Sequence, residues 1–411
     1  MVKFEGFEFV DGGVCAAAGF TAAGIIAGIK AGNTTKRDLA MIYCAERCKT
    51  AALYTTNKVK GAPIYVTKKH LTDGFAQAVI VNSGNANTCN DNGIEIAEQM
   101  CELTAQALDI DAEDVIVGST GVIGQKLDIK PIKVRIPTLA KSLSAKGSGE
   151  ACEAIMTTDT RKKEIAVEFE IDGRKCHVGG ISKGSGMIAP NMATMLAFIT
   201  TDVAIEGALL DKALRKVNTI TFSMVSVDGD TSTNDTLVLM SSGLAKNPEI
   251  ICEDKNYEIF ENALYAVMMN LARETARDGE GATKLIECIV NGAPNEDAAK
   301  CVAKSVISSS LVKAALFAAD ANWGRILCAI GYAKADFDIE RVSVELASEK
   351  GKITVCTNGA GISFSEEAAS EILGEDEIKI LIDIHSGDAG AVAWGCDLTF
   401  DYVKINAEYR S

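Results

Sequence analysis

A threonine that directly precedes an apolar run is the residue in this chain with the clearest chemical potential. The segment 183–189 is Gly-rich, and after Pro190 the small residue Ala193 leads into Thr194. The apolar residues 195–199 predict a buried strand. If the Ala193–Thr194 peptide bond breaks, Thr194 gains a free α-amino group with a pKa near ~8, which can serve as the base for its own hydroxyl. The pattern indicates a nucleophile that the chain exposes by cutting its own backbone. The alternative is a Gly- and Pro-containing loop before an ordinary strand.

Acyl transfer also requires hydrogen-bond donors that stabilise the oxyanion of the tetrahedral intermediate. Thr120 and Gly121 follow a predicted strand at 114–117 and offer a hydroxyl and an uncrowded backbone N–H. The same donors could serve self-cleavage and turnover. A phosphate-binding loop is the alternative, because Gly118, Gly121 and Gly124 are three residues apart. No Gly-Lys-Ser/Thr follows these glycines, which disfavours phosphate binding.

Six segments carry a resemblance that extends along nearly the whole chain. They are residues 19–30, 82–87, 118–124, 183–194, 391–398 and 405–411. In this order they resemble the ornithine acetyltransferase family, also called glutamate N-acetyltransferases. The resemblance implies an acetyltransferase of arginine biosynthesis that cleaves itself between Ala193 and Thr194. Such an enzyme moves acetyl from N2-acetyl-L-ornithine to L-glutamate through acetyl-Thr194.

The resemblance also implies the organisation of the mature protein. Residues 1–193 would form an α chain that carries the oxyanion donors Thr120 and Gly121, and residues 194–411 a β chain that begins with the nucleophile. A smaller C-terminal subdomain would start at about residue 285. Two α and two β chains would form a heterotetramer. Some members of the family also use acetyl-CoA to acetylate glutamate, and no residue decides that point here. No other cofactor is expected.

Positions that match substrate-binding positions of the family are Thr157, Lys183, Thr194, Glu280, Asn406 and Ser411. A Lys ammonium with hydroxyl and amide donors suits the α-carboxylate of glutamate and acetylornithine, and a carboxylate suits an amino group of ornithine. The alternatives are solvated loop charges for Lys183 and Glu280, and a frayed terminus for Ser411. The family usually ends in Thr, and Ser411 keeps the hydroxyl.

Composition excludes several classes of protein. The 411 residues carry a formal net charge of −15, so nucleic-acid binding through a basic face is not expected. No run reaches the ~18 apolar residues of a membrane span, and acidic residues interrupt the start of the chain before any signal-peptide core. We therefore expect a cytoplasmic protein. The 13 cysteines form no Cys-x-x-Cys pair and only three histidines occur, which predicts buried reduced thiols and no metal site.

The pattern of apolar residues predicts mixed α and β structure without a regular βαβ rhythm. Helices are predicted at 94–108, 211–217, 257–276 and 298–319, and strands at 51–56, 63–67, 78–81, 114–117, 222–227 and 285–290. This favours the α+β class over a doubly wound sheet. The resemblance implies packed β-sheets flanked by helices, in a self-cleaving enzyme with an N-terminal Thr nucleophile that is distinct from the Ser-His-Asp hydrolase folds.

Two other functions are compatible with the motifs. An N-terminal-nucleophile amidase or aminopeptidase would use water where the transferase uses glutamate. A Gly-rich binding or scaffold protein would never cleave itself. His177 and His385 are predicted to have structural roles, because no triad partner lies near either in the sequence. The loop 320–325 is either the wall of a pocket or a helix cap with one packed Trp.

Overall fold

The computed structural model describes residues 2–30, 32–189 and 195–408 of the chain. Three predicted site residues, Ala193, Thr194 and Ser411, lie outside the described residues.

Packing divides the described chain into two compact units. Unit 1 is formed by residues 2–184, 195–222 and 231–271. Unit 2 is formed by residues 185–189, 223–230 and 272–408. The predicted division into chains 1–193 and 194–411 concerns a covalent cut rather than packing, and it stays a prediction.

Strands and helices follow one another irregularly along the chain. The strands are β1 (Glu8–Val10), β2 (Phe20–Ile25), β3 (Leu39–Tyr54), β4 (Phe75–Asn82), β5 (Val115–Ser119), β6 (Lys163–Ile171), β7 (Arg174–Lys183), β8 (Leu196–Thr201), β9 (Val225–Ser226), β10 (Thr236–Ser241), β11 (Leu285–Ala293), β12 (Ser343–Ser348), β13 (Gly351–Thr357), β14 (Ala360–Gly361), β15 (Glu377–Asp383) and β16 (Ala389–Cys396). The helices are α1 (Ala62–His70), α2 (Gly93–Leu108), α3 (Ile129–Lys141), α4 (Ser148–Ile155), α5 (Gly207–Asn218), α6 (Lys255–Arg277), α7 (Glu296–Ile307), α8 (Ser310–Phe317), α9 (Trp323–Gly331), α10 (Glu366–Leu373) and α11 (Phe400–Ala407).

Unit 1 is built on a mixed sheet whose two halves enclose one core. The strand order is β1-β6-β7-β8-β10-β3-β4-β5, with β2 also paired to β3. The long strand β3 pairs mainly through its first half with β4 and through its second half with β10, and its register against β4 shifts between Tyr43 and Cys48. Val79 and Ile116 from one half of the sheet pack in the same apolar cluster as Phe198 from the other half.

Helices α2 and α3 cover the second face of β4 and β5. Ile96, Ala97 and Met100 of α2 are buried at the spacing of one helix face, which gives α2 an apolar stripe. This stripe packs with Ile80 of β4 and Ile132 of α3 in a separate apolar cluster. Strands β4 and β5 are therefore buried on both faces, which fixes the positions of the loops that follow them.

The strand register of unit 1 aligns the ends of the strands that carry the predicted site. β8 lies between β7 and β10, so Leu196 pairs with Lys183 on one side and with Thr236 on the other. The parallel strands β4 and β5 end opposite each other, with Asn82 beside Ser119. The polar loops that follow β4 and β5 therefore leave the sheet together.

Unit 2 contains a second mixed sheet, in the order β14-β13-β12-β15-β11-β16-β9. Its strand β11 is parallel to β15 and antiparallel to β16. Helix α7 packs on β11 and β16, and it buries one face that includes Ala299, Val302 and Val306. Mixed sheets flanked by helices in each unit confirm the α+β class.

Most of the elements predicted from the sequence agree with the structure. The predicted helices 94–108 and 257–276 correspond to α2 and α6. The prediction of a strand at 63–67 is wrong, because these residues lie in α1. Pro63 is in the first turn of this helix, where backbone N–H groups have no partner within the helix, so the missing N–H of proline costs no hydrogen bond. The predicted strand 222–227 is confirmed only in part, since Phe222–Met224 forms a 3₁₀ turn before β9.

The cysteines of the described chain are free thiols. Most are buried or half-buried as predicted, but Cys89, Cys252 and Cys328 are exposed, so the prediction is wrong for these three. The described residues contain no group of three or more His, Cys, Asp or Glu side chains that could hold a metal ion. Among the helices of residues 2–30, 32–189 and 195–408, none has the length and apolar character that a membrane crossing requires.

Candidate active site

The predicted oxyanion donors lie in a turn that directly follows β5. The Thr120 N–H donates to the Asn82 carbonyl over 2.9 Å, so it is already occupied. Within the described residues, neither the Thr120 hydroxyl nor the Gly121 N–H has a hydrogen-bond partner. Both residues are half-buried. One hydroxyl and one N–H are therefore available to a substrate oxygen, as an oxyanion site requires.

Gly121 is the residue type that this turn needs. Its φ is +131°, a conformation that residues with a side chain rarely adopt. A Cβ at this position would lie 2.8 Å from the Asn85 backbone nitrogen. The turn is thus packed directly on the loop that follows β4.

Two asparagines hold the turn in place. Asn82 donates through Nδ2 to the Ser119 hydroxyl over 2.7 Å, and its Oδ1 accepts from the Asn85 N–H over 3.1 Å. Asn234 donates through Nδ2 to the Ser119 carbonyl over 3.0 Å and to the Ala86 carbonyl over 2.6 Å. The loops that follow β4 and β5 are therefore fastened to each other and to the segment before β10.

The same segment connects the turn to β8. Asn234 contacts Ser119, and two residues later the Thr236 N–H donates to the Met195 carbonyl over 2.9 Å. Met195 follows Thr194 in the sequence. The oxyanion turn and the start of β8 are thus joined through three consecutive residues.

A buried carboxylate, Asp159, organises the segments that contain Thr157 and Lys183. Its Oδ1 accepts from the Lys163 ammonium over 2.8 Å and from the Gly184 N–H over 2.6 Å. Its Oδ2 accepts from the Thr157 N–H over 3.0 Å. The Lys183 ammonium lies 3.9 Å from the same Oδ2. Asp159 thereby holds two predicted substrate-binding residues next to each other.

Positive charge exceeds negative charge around Asp159. Lys163 and Lys183 pair with Asp159, whereas the Lys36 ammonium donates to the Thr157 carbonyl and is affected by the charges of both Asp159 and Glu153. Burial raises the pKa of Asp159, but Lys183 and Lys163 lower it more, and the net shift is downward. Burial lowers the pKa of Lys36. Within the described chain the Lys183 ammonium makes no hydrogen bond, although the residue is only 7% exposed, so it is available to an anionic ligand.

In unit 2, Glu280 and Asn406 are hydrogen-bonded to each other. Asn406 donates through Nδ2 to Glu280 Oε2 over 2.8 Å and to the Tyr402 carbonyl over 3.0 Å. The Glu280 N–H donates to the Ser185 carbonyl over 2.8 Å. A Cβ at Gly186 would lie 2.3 Å from the Glu280 carboxylate, so a side chain there would displace that carboxylate. Oε1 of Glu280 accepts no hydrogen bond from the described residues and can accept one from an amino group.

A second carboxylate of unit 2 holds the backbone ahead of the predicted cleavage site. Asp228 accepts from the N–H groups of Met187 and Ile188, over 2.7 Å and 2.9 Å, and from the Tyr402 hydroxyl over 3.2 Å. Burial raises the pKa of Tyr402, and the charge of Asp228 raises it further. The segment 187–188 therefore has a defined position in unit 2.

The predicted site residues fall into three sets. Thr120, Gly121, Thr157 and Lys183 belong to unit 1, Glu280 and Asn406 belong to unit 2, and Ala193, Thr194 and Ser411 lie outside the described residues. The structure brings Thr157 next to Lys183 and Glu280 next to Asn406.

The sequence analysis missed residues that position this set, above all Asp159, Lys36 and Asn234. Asp159 stands in the polar run that contains Thr157, and Asn234 stands in a polar run directly before an apolar strand. Polar runs at strand ends are where functional loops concentrate, so this signal was present in the sequence. Lys36 has no such signal.

Local contacts bear on two alternatives from the sequence. Asn322 accepts the Arg325 N–H over 3.3 Å and caps α9, which supports the helix-cap interpretation of the loop 320–325. His177 lies between Asp202 and Glu168, with Nδ1 2.8 Å from one carboxylate and Nε2 3.3 Å from the other. That pairing is the structural role predicted for His177.

Within the described residues, the oxyanion donors, a buried ammonium that makes no hydrogen bond and a buried carboxylate oxygen that accepts none are groups that an α+β acyl-transfer enzyme can use. Residues 21–411 match the family described as ArgJ family. The arginine biosynthesis bifunctional protein ArgJ of Caldanaerobacter subterraneus subsp. tengcongensis is 47% identical over 405 residues, which cover 98% of this chain and 100% of the relative. The protein of the same name from Symbiobacterium thermophilum is 48% identical with the same coverage. The chain belongs to the ArgJ family, and it is an acyltransferase of arginine biosynthesis.

Solved structures of similar proteins were also found. The arginine biosynthesis bifunctional protein ArgJ of Bacillus halodurans is 46% identical over 52% of this chain and 98% of its own, with a TM-score of 0.49. The ornithine acetyltransferase of Mycobacterium tuberculosis, complexed with ornithine, is 35% identical over 46% of this chain and 100% of its own, with a TM-score of 0.42.

Proposed function

We propose that this enzyme moves acetyl from N2-acetyl-L-ornithine to L-glutamate in two steps, through an acetyl ester on Thr194. The observation that carries the proposal is the excess of positive charge around Asp159, with the Lys183 ammonium unbonded. Both amino-acid substrates bear an α-carboxylate, and a buried ammonium next to backbone donors is a strong partner for that group. The products are L-ornithine and N-acetyl-L-glutamate.

Self-cleavage comes first in the proposed sequence of steps. Thr194 Oγ attacks the Ala193 carbonyl carbon, the C–N bond breaks, and the ester that forms is opened by water. The Thr194 α-amino group is then free to act as a base. The Thr120 hydroxyl and the Gly121 N–H stabilise the oxyanion of this intermediate.

Acetyl transfer then repeats the same chemistry on a substrate. Thr194 Oγ attacks the acetyl carbonyl, the amide C–N bond breaks, and ornithine leaves as the amine after it has received a proton. Glutamate binds next, and its α-amino group attacks the acetyl ester and releases Thr194. Because both steps pass through a tetrahedral oxyanion, one pair of donors serves both.

The remaining predicted residues bind the two substrates in this proposal. Thr157, Lys183 and Ser411 contact carboxylate groups. Glu280, oriented by Asn406, accepts from an amino group of ornithine through its free carboxylate oxygen.

The test is the substitution Thr194→Ala. We expect an uncut precursor with no acetyl transfer, whereas the wild-type chain yields a second fragment whose N-terminal sequence is Thr194-Met195-Leu196. Thr194→Ser, which keeps the hydroxyl, is the matched control and should still be cut. An uncut variant that turns over substrate would overturn the proposal.

The molecule that accepts the acetyl group distinguishes the transferase from a hydrolase with the same nucleophile: glutamate in the transferase and water in the hydrolase. With acetylornithine as the only substrate, a transferase releases little acetate, and when glutamate is added it forms N-acetyl-L-glutamate. Fast acetate release in the absence of glutamate would favour an amidase or aminopeptidase.

We further propose acetyl-CoA as a second acetyl donor, an α2β2 assembly and a cytoplasmic location. The relatives named above are called bifunctional, which supports a second activity. Consumption of acetyl-CoA with glutamate and without acetylornithine tests the second donor, and the native mass of the cleaved protein tests the assembly.

A further inference from the structure

The loop that precedes β3 holds the backbone of Lys36 in a fixed position. The Asn33 side chain accepts from the Lys36 N–H over 3.1 Å and donates to the Lys36 carbonyl over 2.8 Å. The same amide donates to Asp38, a buried residue that also accepts from the N–H groups of Ala27 and Ile29 over 2.6 Å and 2.7 Å. The loop is therefore ordered before any ligand binds, which lowers the entropy cost of binding through Lys36.

The Lys36 side chain connects this loop to the region around Asp159. Its ammonium donates to the Thr157 carbonyl, and the Thr157 N–H donates to Asp159 Oδ2 over 3.0 Å. The Lys183 ammonium lies 3.9 Å from the same carboxylate oxygen. Burial lowers the pKa of Lys36, and the charge of Lys183 contributes to this lowering. Two ammonium groups are thus grouped around Thr157 and Asp159.

The carboxylates that act on Lys36 are already paired with other cations. These pairs are Asp159 with Lys163 and Lys183, and Glu153 with Arg37 and Lys162. Within the described residues, Lys36 forms no ion pair, and its ammonium donates one hydrogen bond, to Thr157. An ammonium group has three N–H donors, so two of them are available to an anionic ligand.

The two proposed substrates differ in their number of carboxylates. Glutamate has an α- and a γ-carboxylate, whereas acetylornithine has the α-carboxylate alone and ends in an ammonium group. Lys183 is the proposed partner of the shared α-carboxylate, and Glu280 is the proposed partner of the ornithine ammonium. The γ-carboxylate of glutamate is repelled by Glu280, and it still lacks a cation.

We propose that Lys36 binds the γ-carboxylate of glutamate and thereby selects the acetyl acceptor, an inference that rests on the acetyl transfer proposed above. The two remaining N–H donors of the ammonium bind the carboxylate oxygens, in hydrogen bonds that are stronger than those between neutral groups. Acetylornithine has no second carboxylate and makes no use of Lys36. The residue therefore determines which amino acid receives the acetyl group, and has no role in the choice of the donor.

Lys36→Met tests this role, because methionine keeps a flexible side chain and removes the charge. Transfer from acetylornithine would be measured with L-glutamate and with L-glutamine, in which a neutral amide of similar size replaces the γ-carboxylate. We expect kcat/KM for glutamate to fall about tenfold, with less than a twofold change for glutamine and for acetylornithine. Equal losses with both acceptors, or an unchanged value for glutamate, would overturn the inference.

Lys162→Met is the matched control, because it removes a charge of the same sign from the same region. Lys162 is exposed and pairs with Glu153, so water screens its charge. We expect the preference for glutamate over glutamine to stay within about twofold of the wild-type value. A tenfold loss of preference in Lys162→Met would show that the general positive charge of the region, and not a contact with Lys36, selects glutamate.

The wild-type enzyme provides a test that needs no folded variant. If glutamine accepts acetyl as efficiently as glutamate does, no cation binds the γ-carboxylate and the inference fails. The same assay separates the two proposals. If the wild type forms no N-acetyl-L-glutamate from acetylornithine, the proposed function fails and the inference fails with it. If transfer occurs and Lys36→Met keeps the wild-type preference for glutamate, only the role of Lys36 fails.

Discussion

The residues around Asp159 in unit 1 and those around Glu280 in unit 2 carry opposite excess charge. Asp159 pairs with the ammonium groups of Lys163 and Lys183, and the Lys36 ammonium also interacts with its charge. Glu280 instead receives a neutral amide from Asn406, and in the described part of the chain it forms no ion pair with Lys or Arg. One region therefore needs a negative ligand and the other a positive one.

This difference matches the two kinds of charge that the proposed substrates carry. Glutamate and acetylornithine share an α-carboxylate, whereas the side-chain ammonium belongs to the ornithine side alone. Loss of the Lys183 charge should therefore weaken both substrates, and loss of negative charge at Glu280 should weaken only one. The two regions can be tested independently because each is held by contacts within its own unit.

The largest expected effect is that of Asp159→Asn on stability. The Lys163 side chain is fully buried, and removing one partner of a buried ion pair costs about 3–5 kcal/mol. We expect a clearly lower midpoint of thermal unfolding. Glu150→Gln, which removes an exposed partner of Arg37, is the control and should cost less than about 1 kcal/mol.

The pH dependence sharpens this first prediction. The pKa of Asp159 is lowered in the folded chain, so its contribution to stability is present above the unfolded value of 3.8 and is lost as the pH falls. The difference between wild type and Asp159→Asn should therefore shrink below about pH 4. An unchanged unfolding midpoint at pH 7 would show that the ammonium groups do not depend on this carboxylate.

The second prediction concerns Lys183→Met, which removes the charge and keeps much of the volume. We expect kcat/KM to fall about 100-fold for both acetylornithine and glutamate, which corresponds to ~2.7 kcal/mol of lost binding to a carboxylate. Lys175→Met is the control on the same strand, because Lys175 is exposed and forms an ion pair with Glu168. A loss for one substrate alone would refute a shared carboxylate site.

The spacing of apolar residues along the sequence was sufficient to predict helices and strands whose buried residues recur at one regular interval. The helix at α2 and the strands β4 and β5 were predicted within a few residues because their apolar spacing is regular. The segment 63–67 was not, because Ile64, Tyr65 and Val66 have the composition of a strand while the position of Pro63 favours a helix start.

The positioning residues could not be predicted, because their proximity depends on strand order. Asn234 reaches Ser119, 115 residues away, only because the two halves of the unit 1 sheet enclose one core. The Lys36 ammonium likewise contacts a distant residue, the Thr157 carbonyl, 121 residues away. No periodic pattern in a single sequence encodes such pairings, whereas the site residues themselves came from the family resemblance.

The third prediction concerns Glu280→Gln and tests the negative region. The substitution keeps an oxygen for the Asn406 amide but removes the charge. We expect kcat/KM for acetylornithine to fall about tenfold, or ~1.4 kcal/mol, with less than a twofold change for glutamate. Glu345→Gln, which removes the charge of a half-buried residue paired with Lys352 in unit 2, should change neither value. Equal losses for both substrates would contradict the assignment of opposite charges to the two regions.

The smallest expected effect is that of His177→Gln on stability, at a residue outside both regions. It tests whether burial of the ion pair explains the large loss of stability expected for Asp159→Asn. His177 is half-buried between Asp202 and Glu168, and its hydrogen bond to Asp202 raises its pKa. A raised pKa stabilises the folded chain below the unfolded value of 6.5, and this contribution is lost as the pH rises through the folded value. The stability lost in His177→Gln should therefore be larger at pH 6 than at pH 8.5. Because water screens the pair, the difference should not exceed about 1 kcal/mol in urea unfolding. Equal losses at the two pH values would show that the charge of His177 contributes nothing, and a difference as large as that of Asp159→Asn would show that burial does not control these ion pairs.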